Sequence, residues 1–344
     1  MKLNDIANML NVSPASISIV RNGKPGVSPT TRRQIQLALE QNGFTYKDYA
    51  IPGSVLPTEA PSRLPHYIRL VKYNRSTLLT EKNEGFVDNI INAISAYARS
   101  EGYDLVLSAV QHTKFDDFLN ELKQELCSGL LVLATEMDRS EILKLRNINI
   151  PTVILDSDYP SLGIASVTMN NRALAYEAVS HLISLGSNEV GYLCSNIRTG
   201  NCSNRENGYL EALRDHGIEW NKDLVFPLTP SLSGACHDML YHLSTKRAIP
   251  RALFADNDVI AVGAMQAMRQ HGIKIPDDTY IVGVDNTMLA QVSSPTLSSM
   301  QISHSALGKK AIMLLLDQIV NPDYSPVQIY VDSKLTIRES STQV

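Results

Sequence analysis

Cysteine is scarce in this chain, and its spacing forms no pattern. Four cysteines occur in 344 residues, Cys127, Cys194, Cys202 and Cys236, with no C-x-x-C pair among them. That excludes a disulfide framework and a zinc-ribbon spacing, and we expect four reduced thiols. The histidines are equally unhelpful to a metal, since His237 and His242 stand five apart and do not share one helical face. We expect no metal and no cofactor. No stretch approaches the ~20 apolar residues of a membrane span, and the N-terminus has no apolar run behind a basic start, so the expected location is the cytoplasm. The motifs of catalysis are missing too. There is no G-x-S-x-G elbow, no G-x-x-x-x-G-K-[ST] loop and no paired His-Glu zinc pattern, and the expectation is that the chain is not an enzyme.

The chain also lacks a strong charge of one sign, at −4 overall. The distribution matters more than the sum. Residues 1–50 hold six basic side chains (Lys2, Arg21, Lys24, Arg32, Arg33, Lys47) against three acidic (Asp5, Glu40, Asp48), a net +3 that leaves −7 for the remainder. A basic head on an acidic body suits contact with phosphates by the head alone.

That head is also where local patterning is sharpest. Ile6, Ala7 and Leu10 make one apolar helical face, and Ile17 and Val20 make another. Between them Ser13 suits an N-cap and Pro14 the first helical position, where its missing N–H costs nothing. Small Ala7 allows close approach of the two helices, so the second can project as a recognition helix. An ordinary helical hairpin would show similar spacing, and the continuation decides between them. Asn22-Gly23-Lys24-Pro25-Gly26-Val27-Ser28-Pro29 links to a third apolar face, Ile35, Ala38 and Leu39, closed by Gly43. Read whole, residues 3–46 resemble the DNA-binding head of the lactose-repressor (LacI) family of bacterial regulators. The resemblance rests on the Asp5-Ile6-Ala7 start, the Val12-Ser13 turn, the Ser18 helix and the Asn22-Gly23 to Val27-Ser28 link.

The expected domains are a head over 1–46, a linker over 47–61 and a core over 62–344. Side chains placed to face bases are Pro14, Ala15, Ser16 and Ile19, with thymine-methyl contact open to Ala15 and Ile19. Lys2, Arg21, Lys24, Arg32 and Arg33 are candidates for phosphate contact, and Asn22 closes the DNA-facing set. Many relatives carry an arginine where Ile19 stands, able to grip guanine with two hydrogen bonds as Ile19 is not. The resemblance implies a hinge helix of the type Ala-Arg-x-Leu in the linker. Here Ala50 is followed by Ile51-Pro52-Gly53, poor helix sequence, and Leu56 beside Pro57 is the only nearby apolar replacement for the wedge.

From Tyr67 onward, short β-rich runs alternate with helical ones, the pattern of parallel sheets with crossover helices. Strands are predicted near 67–72, 103–109, 129–134 and 151–155, with helices near 83–101, 115–127 and 138–147. A second set follows, with strands near 189–194, 223–226, 251–255 and 279–284 and helices near 171–185, 205–216, 233–244 and 257–271. A helix near 303–320 and strands at 327–331 and 335–338 complete the chain and are expected to cross back between two lobes. Residues 62–340 resemble the sugar-binding-protein-like core of the same family through Asn204-Arg205-Glu206-Asn207-Gly208-Tyr209, Phe254-Ala255-Asp256-Asn257-Asp258, Gly263-Ala264-Met265 and Ile281-Val282-Gly283-Val284-Asp285. The expected fold is therefore an all-α helix-turn-helix head followed by an α/β two-lobed core of doubly wound parallel sheets, like a periplasmic binding protein.

In such sheets ligands collect beyond the carboxyl ends of the strands. The residues there are polar: Tyr73 and Asn74, Asp156 and Asp158, Ser195 and Asn196, Asp256 to Asp258, Asp285 and Asn286. Asp and Asn at these points also cap the following helices, and about half are expected to do only that. The resemblance implies effector contacts by Arg205, Asn257 and Asp285, joined in our candidate set by Tyr73, Asn74 and Asp156. It also implies an aromatic where Thr229 stands, so stacking falls to Tyr73 or is absent. The expected function is a ligand-responsive repressor, a homodimer on a palindromic operator in double-stranded DNA, taking a small polar, sugar-like effector between its lobes. The alternative is a cytoplasmic small-molecule sensor acting by protein contact with little DNA binding.

Overall fold

Three short helices build the head: α1 (Leu3–Met9), α2 (Pro14–Arg21) and α3 (Pro29–Gln41). The reason α2 starts at Pro14 is visible at Ser13, whose extended backbone and side-chain oxygen receive the Ser16 N–H at 3.1 Å. Ile6, Ala7, Ile17, Val20, Ile35, Ala38 and Leu39 close one small core, with Leu3, Leu10, Val12, Val27 and Phe44 packed around it. Each large side chain buried there contributes roughly 1.5–3 kcal/mol, which is what holds so short a set of helices together. This computed structural model describes residues 3–10, 12–24, 26–27, 29–42, 44–45, 66–76, 84–245, 247–321 and 323–342. Lys2 and the expected linker, 47–61, lie outside the described residues, as does the side chain of Arg33. The chain divides into two compact units, residues 1–62 and 63–344.

The second unit holds two six-stranded sheets. The first contains β1 (Tyr67–Asn74), β2 (Asp104–Gln111), β3 (Gly129–Leu133), β4 (Thr152–Leu155) and β5 (Ala165–Met169), in the order β5-β4-β3-β1-β2, with all of these neighbours parallel. Its faces are covered by α4 (Glu84–Ser100) on one side and by α5 (Phe115–Leu122) and α6 (Arg139–Arg146) on the other. The second repeats the arrangement with β6 (Val190–Ser195), β7 (Val225–Leu228), β8 (Ala252–Ala255), β9 (Tyr280–Val284) and β10 (Ser298–Ile302), in the order β10-β9-β8-β6-β7. There α7 (Asn171–Ser184) and α8 (Gly200–Asp215) cover one face, and α9 (Leu232–Ser244) and α10 (Asp258–Gln270) the other. Burial on both faces explains why β3, β4, β8 and β9 read as unbroken apolar runs rather than alternating ones.

The expected crossing between lobes occurs three times. The chain leaves β5 for α7, which packs on the second sheet, and returns from β10 through α12 (His304–Val320), which packs on β3, β4, β5 and α4 of the first. Then β11 (Gln328–Val331) pairs in parallel with β5, while β12 (Ser333–Thr336), two residues later, runs antiparallel to β10 in the other sheet. Two of the crossings are tied together, since the Asn170 N–H donates to the Val331 carbonyl at 3.0 Å and its carboxamide to Asp332 at 3.2 Å.

Several expectations need correction. Strands β5 and β10 and the short helix α11 (Met288–Val292) were not anticipated. The two strands read Ala-Ser-Val-Thr-Met and Ser-Ser-Met-Gln-Ile, small and hydroxyl-bearing, and their partners are remote in sequence: Ser340 receives the Ser298 N–H at 2.8 Å, and Asp258 receives the Ser299 hydroxyl at 2.6 Å. Helix α8 begins at Gly200, not 205, because the Thr199 side chain caps it through the Cys202 N–H at 3.3 Å. A single helical turn at Lys222–Leu224 displaces β7 to 225–228. Helix α5 stops at Leu122, and β12 begins at Ser333.

Two glycines of the quoted motifs have a packing reason. At Gly208 a Cβ would lie 2.1 Å from the Arg172 carbonyl oxygen, so α8 can touch α7 only without one; at Gly263 the neighbours are Leu232 O and Ala235 Cβ at 2.7 Å, between α10 and α9. Gly208→Ala should destabilise the core by about 1–3 kcal/mol through overpacking. Gly85→Ala on α4, where a Cβ meets nothing within 4 Å, should be neutral or stabilising. Chemical denaturation of both variants checks this, and equal effects would contradict the close-approach account.

Candidate functional site

The carboxyl ends of the two sheets meet in a polar cleft. Asp156 follows β4 and Asp285 follows β9, equivalent positions in the two strand orders. Both leave their strands in the left-handed region, at φ +55° and +101°, while their backbone N–H groups donate to Val167 O at 3.1 Å and Met300 O at 3.0 Å. A non-glycine residue in that region costs on the order of 1–3 kcal/mol and persists where its surroundings over-determine it. Here each turn aims a carboxylate into the cleft.

Arg205, on the second turn of α8, is buried at the centre. Its Nε donates to Asn171 Oδ1 at 2.8 Å, Nη1 donates to the Asp256 carbonyl oxygen, and Nη2 lies 3.3 Å from Met169 Sδ and 4.0 Å from Asp285 Oδ1. Asn171 in turn donates to Asn201 Oδ1 at 3.1 Å, and Asn201 Nδ2 to the carbonyl and carboxylate of Asp156 at 2.9 and 3.2 Å. From the first lobe, Thr135 donates its hydroxyl to Asp156 at 2.6 Å. Asp256 accepts the Tyr192 hydroxyl and, at 2.6 Å, the Ser195 N–H. Arg205 therefore sits in a net that joins the ends of β4 and β5 to those of β8 and β9.

Charge in this net is poised. Burial pushes Asp156 up to about 6, with Asp285 adding to the rise and Thr135 and Arg205 opposing it. Burial likewise raises Asp258 to about 7, reinforced by Asp285, and moves Asp256 upward against the pull of Arg205. Burial also works against the Arg205 charge, but Asp285 and Asp256 outweigh it, so the guanidinium holds its proton more firmly than usual. The cavity left between these groups is about 60 Å³. Ligand pockets run to roughly 300–1,000 Å³. The cavity is well below that range.

Four of the six residues singled out for the ligand line this cavity: Asp156, Arg205, Asn257 and Asp285. Asn257 also caps α10, its oxygen receiving the Ile260 N–H at 2.9 Å. Tyr73 and Asn74 are elsewhere. Tyr73 is fully buried in the first lobe, its hydroxyl bonded to Glu141 and 2.7 Å from His112 Nδ1, its ring edge-on to Phe115, so it does not supply a stacking face in the cleft. Asn74 is buried beside it and is not among the cavity-lining residues. Asn196, bonded to Thr229 at 3.0 Å, and Asp258, accepting from Thr287 and Ser299, are structural. Thr135 and Asn201 were missed. Asn201 fell outside the helix expected to start at 205, and Thr135, directly after the strand expected over 129–134, was not singled out.

In the head, Ile17 and Val20 are buried, which turns Pro14, Ala15 and Ser18 to the surface and leaves Ser16 and Ile19 half-exposed. Arg21 and Lys24 are exposed. Two candidates have local duties: Asn22 closes α2 by donating to Ser18 O at 2.8 Å, and the Arg32 guanidinium donates to the Lys24 carbonyl, bracing the loop after α2.

A helix-turn-helix head followed in the chain by a two-lobed core with a polar cleft defines a class, the ligand-regulated DNA-binding proteins. Similarity agrees with it. The family model described as "Periplasmic binding protein-like domain" matches residues 179–341. The HTH-type transcriptional repressor PurR of Photobacterium profundum is 26% identical, and the ribose operon repressor of Haemophilus influenzae also 26%, each alignment covering 98% of both chains. Among solved structures, the regulator CelR in complex with cellobiose aligns with a TM-score of 0.72 at 21% identity over 99% of both chains. The lac repressor dimer bound to operator and the anti-inducer ONPF aligns at 0.71 and 20%, covering 100% of this chain and 99% of that one. Over nearly its whole length the chain is similar to curated transcriptional repressors, and its fold is that of the lac repressor and CelR structures.

The raised carboxylates contribute a pH dependence of stability. An ordinary aspartate titrates near 3.8, so between about 4 and 7 these groups hold more protons in the folded protein than in the unfolded one, and their contribution to stability falls as pH rises through that window, while the lowered His181 and His304 act in the opposite sense. Asp156 accounts for up to about 3 kcal/mol of the fall. Denaturant titrations at pH 4.5 and 7.5 should show a smaller difference in Asp156→Asn than in the parent; an unchanged difference would remove Asp156 as a buried titrating group.

Proposed function

We propose that this protein is a repressor that binds a palindromic operator as a homodimer and releases or holds it according to a small, hydroxyl-rich, sugar-like effector bound between the lobes. The observation that carries this reading is the convergence of Asp156, Arg205 and Asp285 from both lobes on one small cavity. An effector held by both sides changes the balance between open and closed cores, and that change is what can be transmitted to the head. The name of the ribose operon repressor and the cellobiose in the CelR complex support a sugar-like ligand. The similar proteins named above are repressors and regulators, which supports reading the cleft as a binding site rather than a catalytic one. The protein works where its operator is, in the cytoplasm; no helix among the described residues is long and apolar enough to cross a membrane.

A second reading, a sensor acting by protein contact, is favoured by one observation: Pro14, Ala15, Ser16 and Ile19 offer no bidentate donor to a base edge. Selection from a random duplex pool separates the two. The repressor reading predicts an enriched two-fold-symmetric site, a change of preferred sequence in Ile19→Arg, and a salt slope reduced by roughly one in Lys24→Ala with uniform weakening on all sites. Failure to enrich any duplex would leave the protein-contact sensor.

A further inference from the structure

We infer that the cleft selects by charge as well as by hydrogen bonding, and that its effector is an uncharged or amine-bearing polyol carrying no phosphate or carboxylate. The inference rests on reading the cleft as the effector site and goes on to name the ligand's charge class. Among the described residues, the charged side chains lining the cavity are three carboxylates, Asp156, Asp256 and Asp285, and one guanidinium, Arg205, a formal −2 when all are ionised, with the Cys202 thiol beside them. Behind these, Asp258 acts on Asp285 and the Arg198 guanidinium on Asp256, one group of each sign.

An anionic ligand needs a cation with donors to spare or an open helix N-terminus. Among the described residues the one cation lining the cavity is Arg205, whose Nε, one N–H of Nη1 and one of Nη2 already face Asn171, the Asp256 carbonyl and Met169; at most one N–H on each Nη is left, beside the Asp285 carboxylate 4.0 Å away, which would repel an anion. The helix starts that reach the cavity are capped by their own side chains, α8 by Thr199 and α10 by Asn257. Ionised carboxylates only accept, so the groups that complement them are hydroxyl and ammonium donors. Phe86, Val87 and Met169 supply an apolar wall on the opposite side, suited to the C–H face of a ring.

The test uses the full chain in thermal-shift and calorimetric titrations against matched sets: D-glucose, D-glucosamine, D-glucose 6-phosphate and D-gluconate; D-ribose and D-ribose 5-phosphate; adenine and guanine with their nucleoside monophosphates; and inorganic phosphate alone. Within any set that binds, the uncharged or amino member should bind at least tenfold more tightly than the phosphorylated or acid member, and inorganic phosphate should give no saturable shift. Asp285→Asn should narrow that gap by weakening the parent compound more than its phosphate. A phosphorylated or carboxylated member that outbinds its parent overturns the charge inference while upholding an effector site. No saturable response from any member overturns the effector reading and this inference with it.

Discussion

A single buried guanidinium organises the core. Arg205 is sunk where both sheets end, and bringing a charge out of water into such a place costs several kcal/mol unless partners repay it. The repayment comes from both lobes: Met169 at the end of β5, Asn171 just past the first crossing, and Asp256 and Asp285 beyond β8 and β9. The same carboxylates need Arg205 in return, since burial alone would leave Asp156 and Asp256 still more strongly disfavoured as anions.

Mobility of the lobes follows from how the chain connects them. Among the described residues three segments cross, near Asn170, Ser303 and Asp332, while each sheet is covered by helices on both faces. Interactions within a lobe are extensive and those at the cleft floor few and polar, an arrangement that favours rigid lobes moving about short connections. The left-handed backbones of Asp156 and Asp285 add stored cost at the surfaces that part and meet.

Much of this was legible from residues alone. Apolar runs without alternation announced strands buried on both faces, and Ser13-Pro14 announced the start of α2, because both signals depend on nearby residues. Asp156, Asn257 and Asp285 could be placed beyond strand ends for the same reason, whereas Arg205, expected at a helix start, stands on the second turn of α8. What escaped depended on distant partners. The hydroxyl-rich strands β5 and β10 are held by groups from other elements, and Asn201 matters only because Asn171 and Asp156 arrive beside it. Tyr73 shows the opposite error: its position at a strand end was right, but Glu141 and His112, far along the chain, draw its hydroxyl the other way.

The dependence of the cleft on its one cation can be measured without knowing the effector. A double-mutant cycle on Arg205→Gln and Asp285→Asn, read by chemical denaturation at pH 7.5, isolates their coupling. Removing Arg205 alone should cost on the order of 3–5 kcal/mol, because it strands carboxylates in a dry site, and adding Asp285→Asn should restore a substantial part of that loss. Additive effects of the two substitutions would contradict the account, and would mean that Asp285 takes no part in holding the guanidinium, leaving it to Asn171 and the Asp256 carbonyl.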